Sequence, residues 1–122
     1  MMRDIKFRGV DLKSGKWIYG SLVSMDNDGS LGIASLDKYG DMMVSQVDKG
    51  TVGQYTGIID KNGVEIFEGD IVRSEGSRDK VVFKNGSYYL ESLLERPQSD
   101  ELLSEFPVKV VGNIHRVPDQ ED

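Results

Sequence analysis

Four carboxylates crowd one short run of the chain, DKNGVEIFEGD, residues 60 to 70. Asp60, Glu65, Glu68 and Asp70 are residue types suited to paired-acid catalysis or to a hard cation, because a carboxylate can carry a proton or ligate through oxygen. Their spacing argues against a ready-made site. In an unbroken strand Glu65 and Glu68 point to opposite faces, and only a bulge at Gly69 would re-aim Asp70. As a calcium loop the run lacks the acidic ligands at its third and fifth positions and the closing glutamate in register. DNDG, residues 26 to 29, invites the same metal reading, but Asn, Asp and Gly are also the residues that tolerate positive φ in tight turns. We read both runs as turns and solvent faces.

His115 is the only histidine and the chain has no cysteine. A Ser-His triad would have to pass through that one residue, and thiolate metal sites, disulfides and thiol nucleophiles are excluded. Within GNIHRV, His115 is expected at an alternating strand position. Neither SEGS nor NGS has the lysine and hydroxyl spacing of a phosphate loop. No catalytic, cofactor-binding or metal residue is assigned, and the chain is expected not to be an enzyme.

Fifteen Lys and Arg against 21 Asp and Glu give a formal charge of -6 over 122 residues. That balance favours solubility and disfavours indiscriminate binding to nucleic acid or anionic lipid. The basic residues are not evenly spread: residues 1–19 carry a net +3 and residues 73–90 a net +2. No apolar run approaches the ~20 residues of a membrane span, and MMRDIKFRGV lacks a signal-peptide core. The expectation is a cytoplasmic protein forming one domain over residues 1–117, with an acidic tail at 118–122.

The elements that must position these residues are short strands, because 14 glycines are dispersed among β-branched and aromatic runs. DIKFR (4–8) alternates so that Ile5 and Phe7 share one face and Lys6 and Arg8 the other. DLKSGK (11–16) reads as a turn. KWIYGSLVS (16–24), SLGIAS (30–35) and DMMVSQV (41–47) read as strands, with a loop at Lys49, Gly50 and Thr51. Asn62-Gly63 and Asn85-Gly86 each lie between extended runs, the pattern of a hairpin with a type I′ turn. Gly69-Asp70 reads as a corner, Asp70 accepting a backbone hydrogen bond and feeding the strand IVR. A short helix is expected near residues 98–105, capped by Ser99 or Asp100, before a last strand within 107–117. Phe67 and Phe83 are expected in the core, and Tyr88 and Tyr89 on opposite faces. The fold class is mainly β: a small, barrel-like domain built from hairpins. The Gly69-Asp70 corner is similar to turns in SH3-like barrels, an analogy at the level of fold.

IKFR, QYTG followed by IDKNGVEIFEGDIV, VVFKNGSYYL and VVGNI occur in order from end to end. In this combination the chain resembles the YopX protein family of bacteriophages and prophages. It departs from the family pattern where Gly9-Val10 follow Phe7-Arg8, and where His115 and Arg116 replace the more usual Tyr and Glu. The resemblance implies a small, mostly β domain encoded by phage or prophage DNA, capable of self-association, and brings no catalytic residues. Gln54, Tyr55, Thr56, Gly57, Asn62, Gly63, Glu68, Gly69, Asp70, Gly112 and Asn113 are its motif positions, for which structural roles are expected.

Two functions are weighed on these grounds. The leading one is a phage or prophage accessory protein that binds a protein partner or itself, using open sheet edges. The alternative is a nucleic-acid-binding module using segments 1–19 and 73–90, with Arg73, Arg78, Lys80 and Lys84 as contacts beside stacking aromatics.

Overall fold

The computed structural model describes residues 4–93 and 101–117. The chain is mainly β with almost no helix, as expected from its turn chemistry. Contacts divide it into two compact units, and the boundary between Gln54 and Tyr55 falls inside one strand rather than in a linker.

The first unit contains β1 (Phe7–Asp11), β2 (Trp17–Ser24), β3 (Leu31–Leu36) and the leading part of the 18-residue β4 (Met42–Ile59). All neighbours are antiparallel, and β1 pairs with β4 as well as with β2, so these strands curl partly into a ring. Trp17, Ile33 and Val47 are buried. The faces of β1 differ from the alternation expected for DIKFR: Ile5 precedes the strand and is exposed, whereas Arg8 is only 4% exposed. Its guanidinium carbon lies 4.1 Å from the centroid of the Trp17 ring. Cation–π attraction over a buried indole holds a charge where periodicity alone would place an apolar residue.

The loop expected at residues 49–51 is instead a bulge within β4. Val10 pairs with Asp48 and Arg8 with Gly53, so four residues of β4 stand opposite Gly9 alone. Thr51 Oγ1 donates to the Asp48 carbonyl (2.6 Å) and accepts from the Val10 amide (2.9 Å). The hydroxyl thereby stands in for a missing ladder acceptor.

The second unit contains the rest of β4, then β5 (Glu65–Phe67), β6 (Asp70–Ser74), β7 (Ser77–Lys84), β8 (Ser87–Ser92), β9 (Glu101–Leu102) and β10 (Lys109–Asn113). The last five strands form an antiparallel sheet in the order β10-β6-β7-β8-β9. Ile66, Val72, Val81, Leu90, Leu103 and Val108 make the core, with Ile58, Tyr88 and Val110 packed against it. Phe67 is buried as expected, but Phe83 is 51% exposed. Phe83 shares its face with Val81 yet lies one step from the Asn85-Gly86 turn, past the end of the core, and its ring rests 5.0 Å from Tyr88. In place of the helix expected near 98–105 there is a single 3-10 turn, Leu103–Glu105, following the two-residue β9. The proposed caps Ser99 and Asp100 and the tail at 118–122 lie outside the described residues.

Turn chemistry sets the hairpins. Asn85 (φ 51°) and Gly86 (φ 81°) give the type I′ turn that the sequence suggests,. Glu75 (φ 34°) and Gly76 (φ 86°) do the same between β6 and β7, a hairpin not anticipated in SEGS. At residues 61–63 the hairpin holds but its turn differs. Only Gly63 is positive (φ 83°), and its amide donates to the Asp60 carbonyl (3.0 Å). A type I turn closed by one left-handed glycine is the three-residue hairpin form.

Glycine substitutions separate close packing from ordinary strand geometry. A Cβ on Gly20 would lie 2.2 Å from the Ala34 carbonyl oxygen, which is backbone and cannot step aside, whereas Gly112 has nothing within 4 Å of that position. Gly20→Ala is therefore expected to destabilise by about 2–3 kcal/mol and Gly112→Ala by less than about 0.5 kcal/mol. Urea denaturation midpoints of the two variants measure the contrast.

Candidate functional site

The signature carboxylates are placed by the β4–β5 hairpin and the corner that follows it, and each has a distinct fate. Asp60 follows directly after β4 and is 5% exposed. Its Oδ1 accepts from the amides of Asn62 (2.8 Å) and Val64 (2.9 Å), and its Oδ2 accepts from the amide of Val110 (2.9 Å) in β10. Burial pushes its pKa up, but the three amides of Val110, Val64 and Asn62 outweigh this, with Lys109 adding a smaller attraction, and hold it below the usual carboxylate range,. One side chain thus closes a turn and ties it to a strand 50 residues away. The Lys61 amide adds a bond to the Val108 carbonyl (3.1 Å).

Asp70 opens β6 and is 2% exposed, and its Oδ2 accepts from the Phe67 amide at 2.8 Å. This is the corner contact expected of it. Gly69, at φ 91°, donates its amide to Val81 and accepts the amide of Ile114, each at 2.9 Å. Glu68 sits in the turn beyond the end of β5, half-buried, and Glu65 lies within β5 opposite Ile59. The corner turns Asp70 inward, away from solvent.

Of the remaining motif positions, those in the second unit lie near the same corner. Thr56 Oγ1 donates to the Ile66 carbonyl (2.8 Å) and accepts from the Ile58 amide (3.1 Å), latching a bulge that Gly57 turns at φ 85°. Tyr55 packs its ring 5.5 Å from Phe67, and Gln54 pairs with Phe7. Gly112 stands opposite Ile71 after a register shift in β10, and the buried Asn113 pairs with Asp70. Asn113 Oδ1 accepts from the His115 amide (3.1 Å). His115 therefore lies in a turn after β10, not in a strand as expected, because Asn113 caps the chain and the Arg116 amide closes back onto its carbonyl. In DNDG, Asp28 Oδ1 accepts from the amide (2.9 Å) and hydroxyl (2.6 Å) of Ser30, a turn closed on itself. Among the described residues no group of three or more His, Asp or Glu side chains is placed to hold a metal ion, and no helix is long and apolar enough to cross a membrane.

Among the described residues two surfaces stand out. On the second sheet, Lys109, Arg73 and Arg78 are direct cross-strand partners on β10, β6 and β7, so they share one face. Alternation along β7 adds Lys80 and Lys84 to that face, and Tyr89, opposite Val82, lies there too,. The four cations singled out from sequence are thus brought together, and Lys109 joins them from 25 residues beyond Lys84, too distant in sequence to be grouped with them. Lys80 pairs with Glu91 at 3.1 Å. Arg8 of the basic segment 1–19 is withdrawn beneath Trp17 contact and offers no surface charge.

The other surface is the β3–β4 hairpin. Leu36 pairs with Met42 and Ala34 with Val44 on one face, and Tyr39 stands in the connecting turn. Leu36, Met42 and Tyr39 are each more than two-thirds exposed. The signal was present in SLDKYGDMMV, where apolar residues occupy both alternating sets, but a strand reading alone does not say which set lacks a cover. A cleft of about 320 Å³ bordered by Leu12, Asp28, Gln46 and Asp48 lies in the same unit.

Asp60→Asn would turn an amide N–H toward a backbone donor and is expected to cost about 3 kcal/mol at neutral pH. The depressed pKa of Asp60 makes its contribution complete above the unfolded carboxylate pKa and lost as pH falls through the lower folded value. Denaturation of wild type and variant at pH 7 and pH 3 should therefore show the gap narrowing in acid.

Among curated proteins none matches. A crystal structure of protein EF1440 from Enterococcus faecalis is similar in fold, with a TM-score of 0.54 at 22% identity, covering 94% of this chain and 96% of that one. The model of the YopX protein family matches residues 6–120. With nearly its whole length matched, the chain belongs to the YopX protein family.

Proposed function

We propose that this chain is a non-enzymatic accessory protein of a bacteriophage or prophage, acting in the host cytoplasm by protein association, and that the associating surface is the β3–β4 hairpin. The observation that carries the reading is the uncovered apolar ladder of Leu36, Met42 and Val44, with Tyr39 at the tip. Met25 extends it, because the space beside Gly32 is filled by Met25 Sδ and Val44 Cγ1. Contiguous exposed apolar surface of this kind is characteristic of association sites.

The occupant we favour is a second copy of the chain, whose own apolar ladder is a matching surface. Sheet edges are a poorer route than sequence suggests. The Val110 amide on edge strand β10 is already taken by Asp60, and β9 is only two residues long. Both features blunt an edge. The non-enzymatic part of the reading is supported by Asp60 and Asp70, whose buried carboxylates are committed to backbone amides.

Light scattering coupled to size exclusion tests the proposal. Wild-type protein is expected to run as a dimer or larger species, and Leu36→Glu with Met42→Glu, both at exposed positions, as a folded monomer. A monomeric wild type, or an oligomer indifferent to the double variant, would overturn it.

A further inference from the structure

We propose that the outer face of the second sheet binds single-stranded nucleic acid. The face opposite the core carries Lys109, Arg73 and Arg78 in one cross-strand row, followed by Lys80, and then Lys84 beside Tyr89. Like charges directly across a ladder destabilise a sheet. No carboxylate among the described residues forms an ion pair with Arg73, Arg78 or Lys109, whereas Lys80 pairs with Glu91. Lys109 adds a minor attraction to Asp60, but Arg73 and Arg78 face each other across the ladder, and the row is suited to an external polyanion.

Geometry selects the kind of polyanion. Strands about 4.8 Å apart spread the three-cation row over about 10 Å, and the six steps from Arg78 to Lys84 extend the positive track for about 20 Å. Tyr89 lies within that track, with the Lys84 ammonium 5.5 Å from its ring centroid. A strip of cations with an aromatic plane is the arrangement that tracks a phosphate backbone while stacking an unpaired base. Duplex readout calls for a helix or ribbon entering a groove, and here the cations sit on the body of a sheet. With an overall charge of -6, attraction to a polyanion depends on a local cationic face such as this one.

Fluorescence anisotropy with labelled oligothymidylate tests the proposal. Wild type is expected to bind at low salt and weaken steadily as salt rises from about 50 to 200 mM. The triple variant Arg73→Gln, Arg78→Gln, Lys109→Gln should lose at least tenfold in affinity, and its log–log salt slope should fall by about 2, since each single-strand phosphate contact contributes about 0.7. Tyr89→Ala should weaken binding roughly tenfold through lost stacking. Lys13→Gln with Lys16→Gln, in the exposed β1–β2 turn, should bind like wild type. Circular dichroism confirms that each variant is folded. Absence of binding at low salt, a triple variant that binds like wild type, or duplex bound as tightly as single strand with no effect of Tyr89→Ala would each overturn the proposal.

Discussion

The second unit depends on one buried negative charge. Asp60 lies at the point where the long strand β4 ends, and its two oxygens take three backbone amides, two from its own turn and one from β10. A buried carboxylate is costly unless its lone pairs are matched by donors, and a half-matched one would be worse than an apolar residue. The hairpin turn, the strand end and the position of β10 are therefore mutually dependent. Asp70 repeats the device a few residues later, fixing Phe67 at the corner while Gly69 links the turn to Val81 and Ile114. The long specific run in the middle of the sequence is the record of this arrangement.

Much of this was legible because turn chemistry is local. Asn85-Gly86 specified its own type I′ turn, and Gly69-Asp70 its corner, from preferences acting over two or three residues. What escaped required partners remote in sequence. Arg8 is inside because Trp17 offers it a ring, and residues 49–51 stay in β4 because the Thr51 hydroxyl serves the Val10 amide across the ladder. Gly9 follows the same rule: a Cβ there would meet Val47 at 3.0 Å, so the departure from the family pattern at this position matches a close approach. Periodicity places Phe83 on the core face because its strand is regular, and it is exposed because the strand outlasts the core. The basic face was partly legible through β7, whose alternation could be read, but Lys109 joins it only through pairing of β10 with β6.

The candidate site follows the same division. The residues that looked most chemical, Asp60 and Asp70, have their oxygens engaged by amides and are largely shielded from solvent. The features able to meet another molecule are those with no role in the core: an apolar hairpin in one unit and a cationic sheet face in the other. That separation supports reading the chain as a binding module, in which the family signature holds the fold and the less distinctive surfaces carry recognition.

The signature is a folding device of the second unit, held through the amides that Asp60 and Asp70 accept. Native-state amide hydrogen exchange tests it at the donors themselves, because a bond that organises the unit should open only when the unit unfolds. The amides of Phe67 and Val110 are expected to exchange at the rate set by complete unfolding of the second unit, slowing and quickening with its stability as denaturant is varied. Fast exchange at these two amides, independent of denaturant, would mean that the carboxylates of Asp60 and Asp70 are readily released, and would contradict it.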